Sequence, residues 1–476
     1  MQEPDLTTRT GAPATIPGDA LEMLRDGMSG DVLTPGDAGY EDARQIWNGM
    51  IDRRPAMIAI CESADDVRAA VIFAATHDLL VTVRGGGHNI AGNAVANGAL
   101  MIDLSEMRQV RIDPMARTAR VQAGCTLGDV DAAAQEHGLA VPMGINSTTG
   151  IAGLTLGGGF GWLSRKHGMT IDNLLSAEVV TVDGRRVKAS ADEHPDLFWA
   201  LRGGGGNFGI VTAFEFQLHP VGPEVLSGLI VHPLEDAGTL LRAYRDFVTG
   251  LGDETAVWVV LRKAPPLPFL PEEWHGREVL VFAAFHAGDM AEGERILAPL
   301  RAMGNPIADV VGPHPYAGWQ QAFDPLLTKG ARNYWKSHNF SELDDVLLDK
   351  LVGYARTLPT SECEVFIGQV GGAMARVPAD ATAYPHRAAE FIMNVHTRWS
   401  EPAGDDECIA WSRKLSADTG EHATGGVYVN FLTSDEIDRV AAAYGPNHAR
   451  LAEIKHRYDP DNRLRMNQNI RPAAEA

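Results

Sequence analysis

The residues best suited to chemistry are a histidine and the glycines around it. His88 directly follows Gly85, Gly86 and Gly87, and further clusters lie at Gly157, Gly158, Gly159 and Gly161, inside GLTLGGGFG, and at Gly203 to Gly206 with Gly209. Glycine lets main-chain N–H groups approach an anion with no side chain in the way, and a nest of such groups neutralises phosphate charge without lysines. One cluster is ordinary turn chemistry; three in one stretch of chain point to a bound dinucleotide. A nicotinamide-type fingerprint fits poorly, because Gly85, Gly87 and Gly92 lack the third glycine at the required step and the HNIAGNAVANG segment is no helix former. No cluster ends in GK[ST], so a P-loop reading fails as well.

The clusters sit at the ends of short predicted elements. From about Tyr40 to Leu218, β-rich runs alternate with helical segments and glycine turns, the pattern of a mixed α and β nucleotide-type unit. Ala56 to Ile60 reads as a strand, Ser63 with Asp66 as a capping-box start, and the residues to Thr76 as a helix. A second strand, Leu80 to Arg84, runs straight into the first glycines. Val110 to Ile112 and Thr118 to Val121 flank Asp113 and Pro114 as a hairpin; Thr126 caps a helix that Gly138 stops; Ala177 to Val182 and Arg185 to Ala189 flank the hairpin signal Asp183-Gly184. Past Pro220 the glycine clusters cease, and the strands Ala256 to Leu261, Val279 to Phe285, Glu364 to Val370 and Phe391 to Val395 alternate with amphipathic stretches, which predicts a second, antiparallel α+β domain. From Val427 a YVNF strand, two helical segments around Asp435 to Tyr444 and Pro446 to Tyr458, and a polar tail are expected.

Bulk properties narrow the function. A chain of 476 residues is too long for one ordinary core, and 45% hydrophobic with 22% charged residues excludes disorder over most of its length. A net charge of −21 speaks against nucleic acid or an anionic membrane as a partner. Cys61, Cys125, Cys363 and Cys408 form no CxxC pair, and the histidines show no metal-ligand spacing, so neither a disulfide framework nor a metal site is expected. With no signal-like or membrane-length apolar run, the expectation is a cytoplasmic protein with a loose N-terminal arm.

At VRGGGHNIAGN (83–93) the sequence resembles the FAD-binding domain of the vanillyl-alcohol oxidase superfamily, the PCMH-type fold, and within it the berberine-bridge-enzyme-like oxidases. The resemblance continues through residues 100–114, 121–130, 138–184 and 194–216, then resumes at YPHR (384–387), YVNF (428–431) and YDPDNRLRMNQNI (458–470). It implies an α+β protein: an arm over 1–38, a two-lobed FAD-binding domain over 39–222, a substrate domain with an antiparallel sheet over 223–425, and a segment over 426–476 that returns to the FAD domain. It also implies that His88 bonds the flavin covalently through a ring nitrogen. On the matching blocks the implied flavin contacts are Arg84, Gly85, Gly86, Gly87, His88, Asn89 and Gly92; Gly144, Asn146, Ser147, Thr148, Thr149, Gly150, Gly153, Gly157, Gly158 and Gly161; Gly209, Ile210 and Val211; and Tyr428, Asn430, Asn467 and Asn469. Many relatives carry a second flavin link from a cysteine in G-x-C-P-T-x-G. Here Asn146 holds that position, so no cysteinyl link is expected, and Cys125 lies in a different block as a small buried side chain.

Such an oxidase takes hydride from a substrate C–H and hands two electrons to O2, and the protein must supply a base. Tyr428 is the first candidate, provided its phenol is depressed by a charge or flavin contact. The last residue of the same block, a second tyrosine in several relatives, is Phe431. Asn394 and His396 share one strand face by period two, and the resemblance directs that face at the substrate; His396 is the alternative base. The partners expected are a small molecule (an alcohol, sugar or natural product) and O2. A flavin dehydrogenase passing electrons to a carrier, or a flavin-binding protein without turnover, are the alternatives.

Overall fold

Three sheets position the site in the computed structural model, which describes residues 5–474. In the first, Met57–Ile60, Leu100–Asp103 and Val81–Arg84 run parallel with Leu100–Asp103 in the middle, and Val32–Leu33 adds antiparallel at one edge. Both faces of this small sheet are covered, which is why Met57, Ile58, Leu100, Met101 and Ile102 are all fully buried. Its crossover is the helix Ala64–Thr76, opened by reciprocal capping between Ser63 and Asp66. The second sheet is antiparallel in the order Arg186–Ser190, Leu174–Val180, Ile210–Gln217, Thr118–Gln122 and Val110–Asp113, with Gly184 taking φ 79° in the tight turn that the Asp-Gly pair predicts. The two sheets share one apolar core that includes Val67, Ala70, Val121, Phe214 and Phe216.

The N-terminal arm is not loose. Leu6–Thr7 pairs with Pro13–Ala14, Leu80 N–H donates to Thr7 O at 2.9 Å, and Leu6, Ala20 and Leu24 are buried in the first core. Its apolar residues are too sparse to read as an element along the sequence, yet each finds a place against the parallel sheet.

The third sheet begins at Glu224, just past the point where the glycine clusters stop. Its strands follow the order Ala308–Asp309, Glu224–Pro233, Glu278–His286, Thr255–Lys263, Glu364–Gln369, Phe391–Trp399 and Arg332–Phe340, every pair antiparallel, with Gly312–Pro315 also paired to Glu224–Pro233. Alternation gives it two faces. Val257, Val259, Phe282, Ile367, Met393 and Val395 pack into one core with the helices Ala237–Val248, Met290–Arg301, Asp345–Ala355 and Asp405–Thr419. Trp258, Phe366, Trp335 and His396 point the other way, into a cleft against the first two sheets.

The chain then returns to the first unit. Helix His448–Tyr458 packs on Pro195–Leu201, and the wholly buried Lys455 Nζ donates to Asp459 Oδ2 at 2.6 Å, Asn207 O at 2.8 Å and Leu464 O at 3.0 Å. YVNF is not a strand: Val429–Phe431 form a single 3₁₀ turn. Its β-branched and aromatic residues read as β, but no strand among the described residues pairs with it, and the turn folds Tyr428 and Asn430 in towards the glycines at 157–159. No helix among the described residues is long and apolar enough to cross a membrane.

Candidate active site

A cleft of ≈ 1880 Å³, part of it open to solvent, runs between the two glycine-bearing sheets and the inward face of the third. Strand Val81–Arg84 ends in Gly85–Gly87, and none of the N–H groups of Gly86, Gly87, His88 and Asn89 meets a protein acceptor among the described residues. Gly87 takes φ 70° to turn the chain there. Gly86 and Gly150 lie back to back, so that a Cβ on Gly86 would come within 2.3 Å of Gly150 N. The first cluster is thereby joined to the 144–150 segment. Gly153 and Gly206 also line the cleft, and a Cβ at either would meet no protein atom within 4 Å. Unpaired N–H groups and glycines facing free space fit a pyrophosphate-bearing cofactor.

His88 stands at the end of this nest. Its ring stacks on Trp47 at 5.1 Å and 21°, its Nε2 lies 3.1 Å from Thr148 Oγ1, and its Nδ1 lies 3.5 Å from Thr149 Oγ1. Burial, only partly offset by the hydrogen bond with Thr148 and reinforced by the nearby Lys329, pulls its pKa down to about 4, so the ring is neutral at physiological pH. Asn146, at the position where relatives carry cysteine, accepts from Thr148 N at 3.0 Å and Thr148 Oγ1 at 2.7 Å and so holds the threonine against the imidazole. Cys125 is buried, which raises its thiol to about 12 and makes it a poor nucleophile.

On the opposite wall His396 stacks on Trp335 at 4.5 Å, and Trp335 meets Trp47 edge-on at 5.7 Å, so an aromatic run joins the two histidines. His396 Nδ1 lies 3.0 Å from Glu364 Oε1, and Arg262 Nη1 donates to Glu364 Oε2 at 2.7 Å. Burial works to raise the Glu364 pKa, but the Arg262 charge and the His396 contact outweigh it and hold the carboxyl below its ordinary range. A carboxylate that accepts from Nδ1–H leaves Nε2 as the basic nitrogen, and His396 lines the cleft.

Tyr428 lines the cleft, but nothing around it depresses its phenol. Burial pushes its phenol up to about 12 despite the N–H of Gly159, 2.9 Å away, and the amide of Asn430, 3.1 Å away. Both neighbours donate to the hydroxyl oxygen, and no cation lies close enough to depress it. Asn394 is also displaced from the catalytic set: it shares the face of His396, but it is fully buried opposite Ser337 and Phe366, away from the cleft.

Of the cofactor residues expected from sequence, Gly85, Gly86, Gly87, His88, Asn89, Gly144, Asn146, Thr149, Gly150, Gly153, Gly209, Ile210, Val211, Tyr428, Asn430 and Asn467 line the cleft. The others stand behind it. Arg84 is ion-paired with Asp103, Ser147 N donates to Asp324 of the third-sheet unit at 2.9 Å, and Thr148 buttresses His88. Gly92, Gly157, Gly158 and Gly161 allow close packing against Ile51, Asn430, Met169 and Met143 respectively. Asn469 also stands outside the wall, beside Ile470 N, which donates to Asn207 Oδ1 at 3.0 Å. Sequence reasoning missed Trp47, Trp258, Trp335 and Phe366 as lining residues. Trp335 lies on the strand Arg332–Phe340 and Phe366 shares a strand face with Glu364, so period two on these strands was the available signal.

The same fold recurs in known proteins. Residues 55–190 match the FAD binding domain family, and residues 427–471 match the berberine and berberine-like family. (R)-6-Hydroxynicotine oxidase of Paenarthrobacter nicotinovorans is 32% identical over 461 residues, covering 94% of this chain and 97% of the relative. Xylooligosaccharide oxidase of Thermothelomyces thermophilus is 29% identical, with 90% and 89% covered. The crystal structure of 6-hydroxy-D-nicotine oxidase from Arthrobacter nicotinovorans aligns with a TM-score of 0.85 at 30% identity, covering 94% of this chain and 98% of that one. Fold, cleft and relatives together define an FAD-linked oxidoreductase with a PCMH-type FAD-binding fold. The chain belongs to the berberine-bridge-enzyme-like family of FAD-linked oxidases.

Proposed function

We propose that the protein oxidises an alcohol or amine carbon of a small molecule, with O2 as electron acceptor, and that its FAD is bonded once to the protein, through a ring nitrogen of His88. When bound, FAD supplies the two-electron acceptor for the substrate hydride and the route of those electrons to O2. The substrate loses a hydride from carbon and a proton from its hydroxyl or amine, which leaves a carbonyl or an imine. O2 takes up the two electrons and two protons and departs as hydrogen peroxide, so atoms and electrons balance. The observation that carries this reading is a single cleft with a neutral, Trp47-stacked His88 on one wall and a Glu364-backed His396 on the other.

His396 Nε2 takes the proton from the substrate hydroxyl or amine. Glu364 fixes the tautomer through Nδ1–H and stabilises the imidazolium that results, while Arg262 keeps the carboxylate charged in its buried setting. The N–H groups after Val81–Arg84 would hold the anionic part of the cofactor, and Asn430 and Asn467 of the returning C-terminal segment would line its site.

The test is direct. Purified protein precipitated in acid should keep its yellow colour in the pellet, a peptide containing His88 should carry the flavin mass, and His88→Ala should release the colour to the supernatant. Freely extractable flavin in the unmodified protein would end the covalent assignment. Protein reduced anaerobically by substrate and then exposed to air should reoxidise rapidly with peroxide release; slow reoxidation would assign the same site to a dehydrogenase.

A further inference from the structure

The segment Asn146 to Thr149 does more for His88 than shape a wall. Its turn is fixed from both sides: Ser147 N donates to Asp324 Oδ1 at 2.9 Å, and Gly150 lies back to back with Gly86. Within it Thr148 N, a group that can only donate, stands 3.0 Å from Asn146 Oδ1, so the amide atom there is the oxygen and not the nitrogen. Thr148 Oγ1 lies 2.7 Å from that same oxygen. Two oxygens so close with no proton between them would repel, so the threonine hydroxyl donates to Asn146. Its one proton is then committed. Across the 3.1 Å to His88 Nε2, Thr148 Oγ1 can only accept, and Nε2 must carry the ring proton. Burial keeps the imidazole neutral, so Nδ1 has a free lone pair. Thr149 Oγ1, 3.5 Å from Nδ1, stands at the outer limit of a hydrogen bond and does not occupy it.

We propose that Asn146 and Thr148 are positioning residues for attachment of the flavin: together they fix His88 in the tautomer whose free nitrogen can form the bond. The proposal rests on the covalent reading above. The position that gives relatives a second link here serves the first. In the attachment, one C–H bond of a ring methyl group of the flavin breaks and a C–N bond to His88 Nδ1 forms. The proton and two electrons that leave, with a second proton from water, reduce O2 to hydrogen peroxide. His88 keeps its Nε2–H directed at Thr148 and carries the positive charge that results, so atoms and electrons balance.

The experiment uses the full chain made under riboflavin limitation and then given saturating FAD in air. Acid-precipitable flavin should accumulate on the His88 peptide. Thr148→Val should slow that accumulation roughly fivefold or more, the factor to which one hydrogen bond of ~1 kcal/mol corresponds, and Thr148→Ser should restore it. Asn146→Leu frees the threonine hydroxyl to donate to Nε2, so it should slow linkage as Thr148→Val does. A second readout needs no flavin: nitrogen NMR of the chain carrying isotope-labelled histidine, with His88→Gln to identify the signal, should show His88 with its proton on Nε2. Thr148→Val should lower that fraction. An unmodified protein that links no flavin, yet shows the Nε2–H form in a manner dependent on Thr148, would sink the covalent reading and leave the tautomer assigned. A proton on Nδ1 in the unmodified chain, or native linkage rates in both Thr148→Val and Asn146→Leu, would overturn the proposal itself.

Discussion

At the scale of single residues, the site works by holding two histidines in opposite circumstances. Both line the cleft, but His88 is held neutral beside Thr148 and Thr149, whereas His396 is backed by a carboxylate. His396→Gln should lower kcat by about 10²-fold or more, the usual contribution of a positioned base, with flavin retained and KM little changed. Glu364→Gln removes the carboxylate that accepts from His396 Nδ1–H, so kcat should fall with flavin retained. A separate residue governs stability. Asp131 is wholly buried, with Oδ2 accepting from Gln320 at 3.2 Å and with Asp131 Oδ1 and Gln320 Oε1 both unpartnered. Burial, which penalises the charged carboxylate, raises its pKa to about 7 against the single Gln320 contact. A folded pKa above the unfolded one gives stability that is complete below about pH 4 and lost as pH rises through about 7. Asp131→Asn should therefore flatten the Tm profile between pH 4 and 7 and raise Tm at pH 8; an unchanged profile would assign that slope elsewhere. His88 is legible in the sequence because glycines surround it, but the division of labour between Tyr428 and His396 is not. A phenol's environment is set by burial and by partners such as Gly159, which lies 269 positions away in sequence.

At the scale of elements, the glycines divide into two kinds that sequence alone cannot separate. Gly86 is small because Gly150 backbone occupies the space its side chain would need, while Gly153 is small with nothing but the cleft before it. Gly86→Ala should lower Tm through a clash with backbone that cannot yield, a cost of about 1–3 kcal/mol. Gly153→Ala lies in the helix Ile151–Leu156, so it should leave apoprotein stability equal or up to ~1 kcal/mol higher while reducing flavin retention. Equal losses of stability in the two variants would remove the distinction. The capping box at Ser63, the helix opened by Thr126 and the Asp183-Gly184 hairpin are readable because their signals are local. YVNF reads wrongly as a strand because its composition favours β while its geometry is dictated by the Gly157–Gly159 turn it packs against.

At the scale of the whole molecule, the third-sheet unit is tied to the first by buried charge. Arg387, beside the strand Phe391–Trp399, makes a paired contact with Asp172 at 2.7 and 2.8 Å, and Ser147 meets Asp324 across the same junction. The YPHR segment therefore braces the unit, and Trp335 on the strand Arg332–Phe340 serves the cleft. The net charge of −21 is carried mostly on the surface, where like charges repel. Moderate salt screens that repulsion. Tm should rise between about 0.02 and 0.2 M NaCl, a range over which the screening length shortens markedly; a falling Tm would mean that surface ion pairs outweigh the net repulsion. The break in composition at Pro220 is visible in the sequence, but the way its two sides face each other across aromatic side chains is not, since those contacts join strands hundreds of residues apart.

The return of the C-terminal segment sets an order of events during synthesis. Asn207, at the end of the third glycine cluster, receives Ile470 N–H on its side chain and Lys455 Nζ on its carbonyl, and the side chains of Lys455, Asp459 and Ile470 are all fully buried. A ribosome making this chain from the N-terminus releases the entire third-sheet unit before the residues that complete the glycine-lined chamber exist. The nascent first unit must therefore wait, with its Asn207 contacts unmade, until residues 455–470 have been made, and cofactor capture follows the arrival of that segment.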